Sequence, residues 1–81
     1  MTLRFRPHAV SRMLERGISV EEVEAIVEKP DGRIYQSHDK SILYKKLKGR
    51  KDNLIAAVVL EEQFDGVIEV ITVLVNFEVK I

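Results

Sequence analysis

Leu54-Ile55-Ala56-Ala57-Val58-Val59-Leu60, followed after a polar break ending in Asp65-Gly66 by Val67-Ile68-Glu69-Val70-Ile71-Thr72-Val73-Leu74-Val75, decides the fold. The first run is almost wholly apolar and bounded by polar residues, the signature of a strand buried on both faces. The second is rich in β-branched side chains, which suit a pleated sheet, and Asp-Gly between two such runs is a hairpin signal. An antiparallel pair at the centre of a sheet is expected. Toward the C-terminus, Phe77-Glu78-Val79-Lys80-Ile81 alternates apolar and charged residues and reads as a final strand or a bent continuation, with Asn76 at the bend. Toward the N-terminus, Arg33 to Ser37 and Ser41 to Leu47 flank His38-Asp39-Lys40 as a second hairpin, and Lys48 to Asn53 is a charged turn.

Ahead of these strands the period changes from two to that of a helix. Pro7 suits a first helical turn and Gly17 the left-handed position past a helix end, so a helix is expected over Pro7 to Arg16. Val10, Met13, Leu14 and Gly17 would form its buried stripe, which places His8, Arg12, Glu15 and Arg16 together on the other side. Ser19 and Glu22 form a capping box for a second helix, Val20 to Glu28, with Val20, Val23, Ile26 and Val27 buried. Pro30-Asp31-Gly32 ends it. The expected architecture is α+β: two N-terminal helices packed on a four- to five-stranded, mostly antiparallel sheet.

At 81 residues the chain has room for one core, hence a single domain over residues 1–81. The 46% hydrophobic and 32% charged content fits a globular protein, and no apolar stretch approaches a membrane span. Met1 to Arg6 does not read as a secretory signal, so a cytoplasmic location is expected. Without cysteine, and with only His8 and His38, neither a metal site nor a cofactor is expected. The zero net charge conceals alternation: Met1 to Ile18 carries +3, Ser19 to Gly32 −4, Arg33 to Lys51 +6 and Asp52 to Ile81 −5. Either the two basic segments converge on a positive face, or opposite segments neutralise each other in surface ion pairs.

The segment His8-Ala9-Val10-Ser11-Arg12-Met13-Leu14-Glu15-Arg16-Gly17-Ile18-Ser19-Val20-Glu21-Glu22-Val23 closely resembles the signature H-A-x-x-R-M-x-x-R-G-I-S-x-x-E-V of a widespread prokaryotic domain-of-unknown-function family. Pro30 and the threonine-bearing strand Val70-Ile71-Thr72-Val73 also fit it. That family is similar in fold to ribonuclease toxins of the RelE and BrnT type. The resemblance implies a RelE-like arrangement and, by analogy, a toxin-like endoribonuclease or RNA-binding protein neutralised by an antitoxin-like partner.

Cleaving RNA without a metal needs a group that moves protons and cations that stabilise a phosphorane-like transition state. Imidazole and guanidinium are such groups. His8 is the candidate for proton transfer, Arg12 and Arg16 for holding phosphate, and Thr72 for an added hydroxyl. Lys45 and Lys46 would extend a cationic track for nucleic acid. Plainer readings stand beside these. His8 could hydrogen-bond a loop, Arg12 and Arg16 could pair with Glu15 or Glu22, and Thr72 could be there because threonine suits strands. Lys45 and Lys46 could blunt a sheet edge, and Tyr35 and Tyr44 could pack across strands. The alternative function is a non-catalytic interaction module that acts through a sheet edge or forms a homodimer through Phe77 to Ile81.

Overall fold

Alternating and β-branched segments form the strands, and the two periodic segments form the helices. A computed structural model describes residues 2–61 and 66–79. In chain order the elements are β1 (Thr2–Phe5), α1 (Pro7–Arg16), α2 (Val20–Glu28), β2 (Gly32–Tyr35), β3 (Lys40–Lys45), β4 (Leu54–Glu61) and β5 (Val67–Phe77). The sheet order is β1-β5-β4-β3-β2. Every neighbouring pair is antiparallel except β1 with β5, which is parallel, so the fold is α+β with a mixed, mostly antiparallel five-stranded sheet.

Both apolar runs become the strands expected of them, β4 and β5, paired antiparallel. Asp65 of the anticipated Asp-Gly turn lies outside the described residues, while Gly66 has φ +68°. β5 takes the bent-continuation form of the two that were expected. It continues to Phe77, with Asn76 at φ 51° marking a bulge rather than a break between strands. Lys80 and Ile81 of the anticipated final strand also lie outside the described residues.

β1 is a feature the sequence reading passed over. Thr2-Leu3-Arg4-Phe5 alternates exposed and half-buried, and it joins the sheet edge through the register Thr2↔Val67 to Phe5↔Val70. A strand of four residues has too little pattern to stand out, and here the parallel pairing with β5 supplies what the segment lacks.

Both helices cover one face of the sheet. Ala9 and Met13 from α1 and Val23, Ile26 and Val27 from α2 pack with Ile18, Leu43, Ile55, Ala57, Val59, Val70 and Val73. Val70 and Val73 are three residues apart yet face the same way, which an unbroken strand does not permit. A register shift between Val58 and Val59 of β4, opposite Ile71, makes it possible. The other face carries a smaller cluster of Ile42, Ala56 and Val58 flanked by Ile34, Tyr44, Ile71 and Phe77. There the Tyr44 and Phe77 rings lie 5.8 Å apart.

The caps follow the sequence signals. Gly17 is left-handed (φ 64°, ψ 38°), and the Ile18 N–H donates to the Met13 carbonyl at 2.9 Å. In the capping box, the Glu22 N–H donates to Ser19 Oγ at 3.1 Å and the Ser19 N–H to Glu22 Oε1 at 2.9 Å. The buried stripe of α1 differs from expectation. Val10 and Leu14 are 44% and 80% exposed, and Ala9, absent from the expected stripe, is fully buried. Relative to the expected stripe the helix is rotated by roughly 70° about its axis. Val20, expected to be buried, is also exposed.

Candidate functional site

The rotation of α1 decides what its polar residues face. With Ala9 and Met13 against the sheet, Arg16, Arg12 and His8 fall successively farther round one flank of the helix instead of opposite its buried side. That flank looks along β5 beyond the point where β1 ends. His8, Arg12, Arg16, Thr72, Val73, Leu74 and Val75 line an open groove of about 330 Å³ between helix and strand. Four residues proposed from sequence alone thus share one concavity.

Each arrives there for a local reason. Pro7 starts the helix and puts His8 in its first turn, where the side chain is exposed. The helix start has no side-chain cap and no acidic residue in its first turn, so its positive dipole end is left unopposed beside the imidazole. Arg6, directly ahead, is turned away: its Nε and Nη2 donate to Glu69 Oε1 at 2.7 and 2.6 Å. Arg12 is half-buried and donates to Glu15 Oε2 at 3.1 Å within its own helix. An exposed pair of this spacing is worth only a few tenths of a kcal/mol, about 0.2–0.5. A phosphate can replace it.

Arg16 owes its availability to another residue. The sequence suggested Glu22 as its partner, but Glu22 is taken by Arg50, whose Nη1 lies 3.3 Å from Oε2. Arg50 also donates to the carbonyls of Gly17 (3.0 Å) and Arg16 (3.1 Å), and through Nε to Asp52 Oδ1 (3.0 Å). One guanidinium therefore closes the C-terminal end of α1, the start of α2 and the turn before β4. It leaves the Arg16 side chain exposed with no ion pair among the described residues. Arg50 was not singled out in the sequence because it sits in a charged turn, and such turns are ordinarily solvated.

This network shifts two carboxyls. Glu22 is held below its ordinary value of 4.5, first by the Ser19 N–H and then by Arg50, against the opposing effect of desolvation. Asp52 is held below 3.8, chiefly by its hydrogen bond from Arg50.

Thr72 reaches the groove differently from expectation. Its register partner is Val58, which belongs to the cluster on the helix-free face. Thr72 therefore borders the groove from the strand edge and is not aimed at the helix flank.

Lys45 and Lys46 do not line the groove. Lys45 Nζ donates to the Lys29 carbonyl at 2.7 Å and lies 3.6 Å from Asp31 Oδ1, tying β3 to the connection after α2. Lys46 Nζ donates to the Asp52 carbonyl, and its backbone N–H donates to Asp31 Oδ2 at 2.8 Å. The same holds for much of the basic charge. Arg33 pairs with Glu61 at 2.9 Å, and its guanidinium also lies 5.5 Å from the Tyr35 ring centroid. Opposite segments meet in these ion pairs across the fold, while Arg12 and Arg16 on the flank of α1 border the open groove. Among the described residues, no group of three His, Asp or Glu side chains is placed to hold a metal ion, and no helix is long and apolar enough to cross a membrane.

Comparison with known proteins adds a family but no activity. No curated protein and no solved structure matches the chain. A family model described as a domain of unknown function, DUF4258, matches residues 5–75, a span that takes in α1 through most of β5 and every residue lining the groove. The chain belongs to the DUF4258 family.

Proposed function

We propose that the groove binds the sugar–phosphate backbone of single-stranded RNA and that the protein is a metal-independent endoribonuclease, as its resemblance to RelE- and BrnT-type toxins suggested. The observation that carries this reading is the convergence of His8, Arg12 and Arg16 with Thr72 on one open groove. Two guanidinium forks and an imidazole suit a phosphodiester better than a small neutral ligand, because forks match phosphate oxygens in pairs.

The chemistry follows from the groups present. His8 accepts the proton of a ribose 2′-hydroxyl, and that oxygen attacks the adjacent phosphorus. Arg12 and Arg16 neutralise the charge that grows on the non-bridging oxygens. The 5′-oxygen departs with a proton from water, which the open groove admits, leaving a 2′,3′-cyclic phosphate and a 5′-hydroxyl. With water as the acid, the rate would be modest. Thr72 would hold the nucleotide in register from the strand edge. RNA recognition is confined to this groove, since Lys45 and Lys46 are engaged elsewhere.

The test is incubation of the purified protein with single-stranded RNA in the presence of a chelator, with the new ends identified. Cyclic phosphate ends are expected, and His8→Ala should lower the cleavage rate by about 100-fold or more. The same variant should change RNA affinity only about two- to threefold, because phosphate binding rests on the arginines. Intact RNA after prolonged incubation with the folded protein would overturn the enzymatic reading.

A further inference from the structure

β5 is paired along only half of its outer edge. β1 reaches no farther than Phe5, opposite Val70, and the last backbone bond found on that side is from the Arg6 N–H to the Val70 carbonyl at 3.0 Å. Pro7 then starts α1 and takes the chain out of the sheet. Thr72, Val73 and Leu74 are paired to Val58, Ala57 and Ala56 of β4 on their inner side. Among the described residues no strand covers Thr72 to Val75 on the outer side, and the groove lies along it.

We propose that this open half-edge takes up an extended segment of a partner protein as an added strand, and that the segment alternates acidic with apolar side chains. A strand joins a sheet about 4.8 Å from its neighbour and bonds through its backbone, while its side chains point alternately to the two faces. Side chains directed toward the helix layer meet His8, Arg12 and Arg16, which calls for carboxylates. Those directed to the other face lie beside Leu74, which is 40% exposed, and the cluster containing Val58, which calls for apolar groups.

Charge and geometry separate this occupant from two others. A second copy of the chain, paired edge to edge about a two-fold axis, would bring two sets of these cations together, and like charges at such an interface are unfavourable. Nucleic acid satisfies the same cations but forms no ladder with the backbone groups of a strand edge, so an added strand would use that edge as well and would compete with RNA for the groove. The inference stands on the unpaired edge and is independent of the ribonuclease reading.

The full chain is titrated with a fluorescein-labelled hexapeptide alternating valine and glutamate. Its analogue with lysine for glutamate is a control, as is the glutamate peptide N-methylated on alternate residues. Saturable binding is expected for the first peptide, at least tenfold tighter than for either control. Hydrogen exchange should show new amide protection confined to residues 72–75 and the adjoining flank of α1. The double variant Arg12→Gln, Arg16→Gln, checked as folded by circular dichroism, should bind the glutamate peptide at least tenfold more weakly. Equal binding of the lysine peptide would show that charge is not involved, equal binding of the N-methylated peptide would show that backbone pairing is not, and either result would overturn the proposal. So would protection elsewhere, or no binding by the folded protein. RNA that protects the groove while the peptide does not bind would assign the site to nucleic acid alone, and cationic protection of a bare edge would then account for its charge.

Discussion

Gly32 and Tyr44 shape the end of β5 without lining the groove. Gly32 lies in β2 opposite Tyr44, and the Tyr44 ring occupies the space where a Cβ would stand. The ring then meets Phe77 across the helix-free face, so this glycine helps to fix the end of β5. Gly32→Ala should push the ring aside and cost about 1–3 kcal/mol in denaturant unfolding. A change under half a kcal/mol, read on the same scale, would mean that the ring has other room. Arg12 and Arg16 act at the same scale by charge. On a plot of log affinity for single-stranded RNA against log salt, replacing both by glutamine should flatten the slope by about 1.4, the loss of two phosphate contacts. An unchanged slope would place the phosphate contacts elsewhere.

At the scale of elements, Arg50 joins the end of α1, the cap of α2 and the turn before β4. Arg50→Ala should destabilise the fold by about 1–2 kcal/mol, from hydrogen bonds to two helix-end carbonyls and two carboxylates. It should also alter the response to acid. Glu22 and Asp52 have folded values below their unfolded ones, so their contribution is fully present above about pH 4.5 and is lost as pH falls through the depressed values. Unfolding curves between pH 7 and pH 3 should therefore show a smaller acid-induced loss in Arg50→Ala than in the parent protein. Equal losses would mean that Arg50 is not what depresses these groups.

The same elements show what could be read in advance. The capping box of Ser19 and Glu22, the left-handed Gly17 and the pair of apolar strands were legible because each depends on neighbours a few residues apart. The face of α1 was not. Val10 and Leu14 compete with Ala9 and Met13 for the core, and a small alanine prevails because it lets the helix lie close against β5, a contact between distant parts of the chain. Arg50 and β1 escaped notice for a related reason: the partners that give them meaning, Glu22 and β5, are far away in sequence. His8, Arg12 and Arg16 could be grouped in advance because helical spacing alone puts them on one flank. That the strand edge from Thr72 to Val75 would border the same groove followed only from where β1 stops.

For the whole molecule, the neutral total combines ion pairs between segments with basic side chains that border solvent. Glu69, Glu61, Asp31 and Glu22 each engage a basic side chain from another segment, which ties Arg33, Lys45 and Arg50 of the second basic segment into the fold. On the flank of α1, positive groups border a strand edge that is unpaired among the described residues. A polyanionic or acidic ligand drawn to this flank should bind more weakly as salt rises. The most direct measurement is amide chemical-shift mapping of the isotope-labelled protein during titration with a short single-stranded RNA of mixed sequence. The account expects the largest shifts at His8, Arg12, Arg16 and Thr72 to Val75, fading as salt is added. Shifts centred on Lys45 and Lys46 or on the helix-free face around Tyr44, with the α1 flank unmoved, would contradict it.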